Sequence, residues 1–276
     1  VATSKALGND IRTLGLICPG HFLSHFYQLA LPPLFHLIRA DIQVSFVALG
    51  AAVGAYNIAT ALLQTPVGFL VDRVGARWVL TAGLFLNGLA FVAVGLADSY
   101  WQIVLALVAA GIGNSVFHPA DFAILSASID ESRMGRAFSA HSLSGSLGFA
   151  AAPVTLLFLA SQWDWRTALI ATGLAGMVLA VATLGVSGAL GDDGSVETKR
   201  APLDLRILIN PTILAFFGFY VLSAAAGSGL SAFSIVAFID MYGTSQEVAG
   251  GVLTSFYVFI AIGVGAGGFI ADRWGR

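Results

Sequence analysis

Eight long apolar stretches separated by short polar segments dominate the chain, at about residues 13 to 38, 44 to 67, 78 to 97, 101 to 125, 136 to 160, 166 to 187, 211 to 239 and 247 to 270. A helix needs about 20 apolar residues to cross a hydrocarbon core of about 30 Å, so each stretch is long enough to span a bilayer. Runs such as Trp78 to Ala97 are apolar on every side. Strands of a membrane barrel instead alternate apolar and polar positions over about ten residues, so helices are the better reading. Lys5 and Arg12 precede the first stretch as they would in a signal peptide. That stretch exceeds the apolar run of about 7 to 15 residues of such a peptide, and it is read as a retained span. The pattern predicts an all-α integral membrane protein with eight transmembrane helices.

The polar segments orient these spans. With the N-terminus in the cytoplasm, eleven Lys and Arg lie on that side, and only Arg39 and Arg166 lie opposite. This is a strong positive-inside bias. Tyr100, Trp101, Trp163, Trp165 and Tyr242 fall at the predicted outer ends and Trp78 and Trp274 at the inner ends, where amphipathic rings suit the headgroup region. The longest polar connection, residues 188–210, reads as a cytoplasmic linker between two membrane domains. Composition agrees, with 57% hydrophobic and 10% charged residues and a mean hydropathy of +0.86. The net charge of -2 and scattered basic residues offer no stripe for nucleic acid. Cys18 is the one cysteine and cannot form an internal disulfide.

The turn GFLVDRVGAR, Gly68 to Arg77, recurs as GFIADRWGR, Gly268 to Arg276, offset by 200 residues. Gly68, Asp72, Arg73, Gly75 and Arg77 resemble the signature between helices two and three of the major facilitator superfamily. Gly268, Asp272, Arg273 and Gly275 resemble its duplicate between helices eight and nine. The resemblance implies a fold of two six-helix domains, with these turns acting as a conformational gate on the cytoplasmic side. The expected organisation is residues 1–187 as an N-terminal six-helix domain, 188–210 as the linker, and 211–276 as the first two helices of a second such domain. Eight of an expected twelve spans are present. Val1 in place of an initiator Met, and a last residue inside the repeated turn, lead to the expectation that the chain is part of a longer one.

Polar residues inside spans are costly and mark cavities or pathways. In GIGNSVFHPADFAIL, Asn114, His118 and Asp121 stand at i, i+4 and i+7 and are expected on one helix face. Imidazole titrates near neutral pH, and a carboxylate close by makes His118 and Asp121 proton-coupling candidates. The Gly-Ile-Gly and Phe-His-Pro elements of this segment resemble the fosmidomycin-resistance-like branch of drug exporters. That branch is expected to carry an acidic residue directly after the proline, whereas here Ala120 intervenes before Asp121. His21, His25 and Gln28 repeat the i, i+4, i+7 geometry in the first span. With Asn114 and with Tyr220 and Ser223 of the seventh, they are substrate-cavity candidates. His141, Gly145, Gly148 and Ala152 form a stripe read as helix packing. No third strong ligand has a sequence-defined place beside the two histidines of the first span, so no metal site and no cofactor are expected. Gly263, Gly265 and Gly268 match a dinucleotide-binding pattern but lie within a span without the strand such a site requires.

The expectation is therefore a secondary transporter of the cytoplasmic membrane, not an enzyme, whose partners are a small-molecule substrate, protons and the bilayer. The resemblance implies proton-coupled export of a drug-like or anionic metabolite by alternating access. A transporter-like receptor or interaction subunit without turnover is the alternative.

Overall fold

A computed structural model describes residues 2–186 and 209–274, with side chains described for residues 8–184 and 209–267. These residues form ten α-helices: α1 (Ala2–Gln28), α2 (Phe35–Ile42), α3 (Phe46–Val74), α4 (Ala76–Gly95), α5 (Tyr100–Asn114), α6 (Phe117–Ser128), α7 (Met134–Gln162), α8 (Trp165–Val186), α9 (Pro211–Tyr242) and α10 (Gln246–Trp274). No strand occurs among the described residues. Seven segments are long and apolar enough to cross a membrane, with α5 and α6 together counting as one. The remaining predicted span, α1, is made less apolar by a row of polar residues, and the structure turns that row inward. His21 and Ser24 are buried.

Two predicted spans are interrupted, each for a local reason. The first ends at Gln28, and a short 3-10 turn, Pro32–Leu34, leads into α2. Pro32 and Pro33 have no N–H to continue the ladder of α1. The fourth breaks between Asn114 and Phe117. There Pro119 has no N–H for the carbonyl one turn before it, and the Ser115 N–H shares the carbonyls of Gly111 and Ile112.

Caps fix the other ends. Ser45 Oγ accepts the Ala48 N–H at 3.1 Å to start α3, and Asn210 Oδ1 accepts the Thr212 N–H at 2.9 Å ahead of Pro211 in α9. The α3–α4 turn is made at Gly75, whose φ of 94° suits glycine. Asp164 accepts the Thr167 N–H at the start of α8, and that bond holds its carboxyl below the usual range.

The core lies among α1–α8. Tyr27 is buried, stacks on Phe91 with ring centroids 4.6 Å apart, and donates its hydroxyl to the Thr172 carbonyl at 2.7 Å. α9 and α10 meet this bundle mainly towards the predicted outer end. There Gln246 Nε2 donates to the Pro33 carbonyl at 2.9 Å, and His36 faces Asp240 at 3.9 Å. From Pro211 to Leu230, α9 is exposed at every residue except Gly218, which is half-exposed. The helix is long and apolar enough to cross a membrane. The protein is a multi-pass, all-α membrane protein. The expected linker, 188–210, lies almost wholly outside the described residues.

Candidate functional site

Three helices converge on a buried polar cluster. α1 supplies His21 and His25 one turn apart, α6 supplies His118 and Asp121, and α7 supplies His141 and Ser144. Their approach depends on small residues in α7. A Cβ at Gly145 would meet His21 Cε1 at 2.7 Å and His25 Nε2 at 2.9 Å, and one at Gly148 would strike the Phe22 carbonyl. The glycines thus let α1 lie close against α7 and make room for two imidazoles in the seam.

At its centre, His141 Nε2 lies 2.9 Å from Asp121 Oδ2, with Asp121 fully buried and His141 nearly so. The His141 ring stacks on His21, centroids 3.6 Å apart and planes inclined by 21°. His21 Nδ1 reaches the His141 carbonyl at 2.9 Å and lies 3.3 Å from Ser144 Oγ, while its Nε2 is 3.1 Å from His25 Nε2. His118 completes the group through ring contacts, 5.6 Å from His21 and 6.2 Å from His25. His118 Nδ1, His25 Nδ1 and Asp121 Oδ1 are buried without a hydrogen-bond partner among the described residues. Two side-chain pairs here can each share a proton, Asp121 with His141 and His21 with His25, and the two pairs meet through stacked ring faces and not through ring nitrogens. Neighbouring imidazoles this close cannot all be charged at once, because like charges at such distances repel strongly.

Two triads in this cluster, His21/His25/His118 and His21/Asp121/His141, bring their ligand atoms within 4.8 Å of one another. A tetrahedral ion would need three such atoms aimed at one point about 2.0–2.1 Å from each. The third ligand that the sequence did not place beside His21 and His25 is therefore brought there by α6, as His118.

The polar residues of the sequence pattern divide between this cluster and its surroundings. Asn114 does not face His118 or Asp121. Its Oδ1 accepts from Ser24 Oγ at 2.7 Å and from Asn87 Nδ2 at 3.3 Å, tying α5 to α1 and α4. The break at residues 115–116 separates the two groups, so the uninterrupted helical face expected for them does not form. Gln28 lines a separate cavity of about 360 Å³ bounded by α1, α3, α7, α9 and α10. Asn57, Phe149, Ser228, Ser231 and Tyr257 are in its wall. Tyr220 and Ser223 are exposed on α9 away from it, whereas Gly227 and Ser231 of the same helix reach it. Phe149 joins the two sites. Its ring is edge-on to His25 at 4.5 Å and stacked on Tyr257 of α10 at 4.9 Å.

The expected gate residues are spread along two helix ends. Asp72 and Arg73 are exposed at the end of α3, and Gly68 lies earlier in the same helix. Gly75 makes the turn, and Arg77 donates to the Leu184 carbonyl of α8 at 3.0 Å. Gly268, Asp272 and Arg273 fall in the last turns of α10, where side chains are not described, and Gly275 lies outside the described residues.

Against known families, residues 17–276 match the model of the Major Facilitator Superfamily. The chain belongs to the major facilitator superfamily. It is 24% identical to the fosmidomycin resistance protein of Escherichia coli K12, over all of this chain and 70% of that protein. It is 26% identical to a probable L-galactonate transporter of the same organism, over 60% of this chain and 39% of that one. Among solved structures, a bacterial homolog of the human lysosomal transporter Spinster in an inward-facing, occupied conformation superposes with a TM-score of 0.79 at 18% identity. That superposition covers 95% of this chain and 61% of that one. The superfamily fold explains why α1, α6 and α7 meet in the interior, and the relatives named here are transporters.

Sequence reasoning assigned His141 to a packing stripe and so missed the partner of Asp121. Its signal was present: it is the one ionisable residue in α7 beyond the helix's first turn, in line with the glycines that admit His21 and His25. Phe149 carried no sequence signal, since one phenylalanine among apolar neighbours is unremarked.

Proposed function

We propose that the protein is a secondary active transporter that moves a small solute across the cytoplasmic membrane by alternating access, coupled to protons. The reading takes residues 1–187 and 211–276 as parts of two membrane domains joined by a cytoplasmic linker, with the N-terminus inside. The solute occupies the cavity between them, and the Asp72–Arg77 turn and its repeat at Asp272 act as the gate. Export of a drug-like or anionic metabolite is the preferred direction, in line with the likeness to the fosmidomycin resistance protein.

The observation that carries this reading is the buried Asp121–His141 contact, one end of a chain of imidazoles that runs through His21 and His25 to Phe149 at the cavity. Intramembrane carboxylates and histidines are expensive to insert and mark proton or ion pathways. A proton gained by this chain changes the charge in the seam between α1, α6 and α7. The seam's packing then favours one conformation over the other, and the energy available is the difference in proton affinity between the two states. His118 stands beside His21 and His25 and gives the chain its second α6 contact.

The test is transport by the complete protein in proteoliposomes under an imposed pH gradient, with a screen of candidate solutes to supply the cargo. His118→Ala and Asp121→Asn are each expected to lower gradient-driven uptake while membrane insertion stays intact. Unchanged pH dependence in both variants removes the pair from the mechanism.

A further inference from the structure

Two imidazoles of the cluster already stand at the spacing of metal ligands. His21 and His25 lie one turn apart on α1, the i, i+4 arrangement in which two histidines on one helix face can hold zinc. Their Nε2 atoms are 3.1 Å apart, against about 3.3–3.4 Å for two nitrogens held 2.0–2.1 Å from a tetrahedral ion. A carbonyl can only accept, so His21 Nδ1 donates its hydrogen to the His141 carbonyl at 2.9 Å, and its Nε2 keeps a lone pair directed at His25. A ligating histidine typically spends its other N–H in this way. α6 adds the third ring. The planes of His21, His25 and His118 are inclined to one another by 69°, 62° and 78°, so no two of them stack. One nitrogen from each lies within 4.8 Å of the others. His118 is the ring that can turn to close the remaining distance, being half-buried, with Nδ1 unpartnered among the described residues. The second triad, His21/Asp121/His141, fits an ion less well. His141 lies face to face with His21, which sets their nitrogens side by side, and Asp121 Oδ2 is engaged with His141. Asp121 instead holds His141, whose carbonyl holds His21, and so supports the first triad from behind.

We propose that His21, His25 and His118 bind a divalent transition-metal ion of the zinc class through three imidazole nitrogens, with the fourth position left to water. Imidazole suits zinc, cobalt, nickel and copper, whereas magnesium and calcium require oxygen ligands. Binding of this kind needs neither a solute nor a gradient and stands apart from the transporter reading.

The test is binding of Co²⁺ and Zn²⁺ to the complete protein in nanodiscs, freed of any affinity tag and stripped with a chelator. Co²⁺ is followed by its visible absorption, and Zn²⁺ by displacement of the bound Co²⁺. Saturable binding with the visible bands of tetrahedral Co²⁺ is expected, displaced by Zn²⁺ and not by excess Mg²⁺. His25→Gln and His118→Gln are each expected to weaken it about tenfold or more, whereas His36→Gln, on α2 beside Asp240, leaves it within about twofold. His118→Cys is expected to keep the ion and to add thiolate absorption to the Co²⁺ spectrum. A merely structural His118 would not give that signature, and it decides the point should His118→Gln fail to fold. No saturable binding of either ion, binding indifferent to both Gln substitutions, or binding lost in Asp121→Asn yet retained in His118→Gln overturns the proposal. Because no gradient is used, it fails or stands separately from proton coupling, which is read only from gradient-driven uptake.

Discussion

The histidine cluster and the cavity wall lie side by side, yet they are built from opposite chemistry. The cluster packs four imidazoles and a carboxylate into a seam of α1, α6 and α7, with the His21 and His25 ring nitrogens 3.1 Å apart and His141 held on Asp121. The wall, one turn further along α1, is neutral and aromatic and faces α9 and α10. Phe149 touches both through His25 and Tyr257. On the proposed function, proton chemistry and solute recognition would occupy adjacent compartments that communicate through packing. Substitutions should therefore separate the two functions.

The largest effect is expected where the cluster's seam is forced apart. Gly148→Val drives a side chain into the Phe22 carbonyl, where backbone must move. A cost of about 3 kcal/mol or more is expected, read as loss of monodisperse protein and a lowered thermal midpoint. Gly54, which has open space at its Cβ position, is the control, and Gly54→Ala should leave the midpoint within a few degrees.

Next comes the separation itself. His141→Gln keeps a hydrogen-bonding side chain but cannot titrate. It is expected to lower gradient-driven uptake about tenfold or more and to flatten its pH dependence. Gln28→Leu, at the cavity wall, should lower uptake about fivefold with the pH dependence of the residual uptake unchanged in shape. If both variants alter the pH dependence alike, the two compartments are one site. A smaller effect is expected at the edge of the cluster. Ser24→Ala removes the hydroxyl bonded to Asn114 Oδ1, which keeps its contact with Asn87, so the loss is about 0.6 kcal/mol in thermal stability. Gradient-driven uptake should not change.

Much of the fold was legible because bilayer thickness imposes long apolar runs that need no tertiary context to recognise. The duplicated Asp-Arg turn carried the family for a similar reason, as its residues are contiguous. The interruptions at Pro32–Pro33 and before Pro119 were harder, since hydropathy continues across them while the backbone ladder does not. Of the site, His21, His25, His118 and Asp121 stood out as costly polar residues in spans. What could not be seen was which of them meet. Helical spacing placed Asn114 with His118 and Asp121, but the break at residues 115–116 sends Asn114 to Ser24 and Asn87. The partner of Asp121 lies 20 residues on, in another helix, and only the glycine-lined approach of α7 to α1 brings His141 beside it. Such pairings depend on helix packing, which periodicity does not encode.

The central claim is that Asp121 and His141 hold the coupling proton, and infrared titration of the carboxyl group tests it without knowledge of the cargo. The complete protein, reconstituted in lipid, is titrated over about pH 4 to 9 while the carboxylic-acid stretch is followed. The account predicts a buried carboxyl band whose intensity changes with pH, that is absent in Asp121→Asn and is altered in His141→Gln. A titration that persists unaltered in Asp121→Asn, or no titrating buried carboxyl at all, contradicts it.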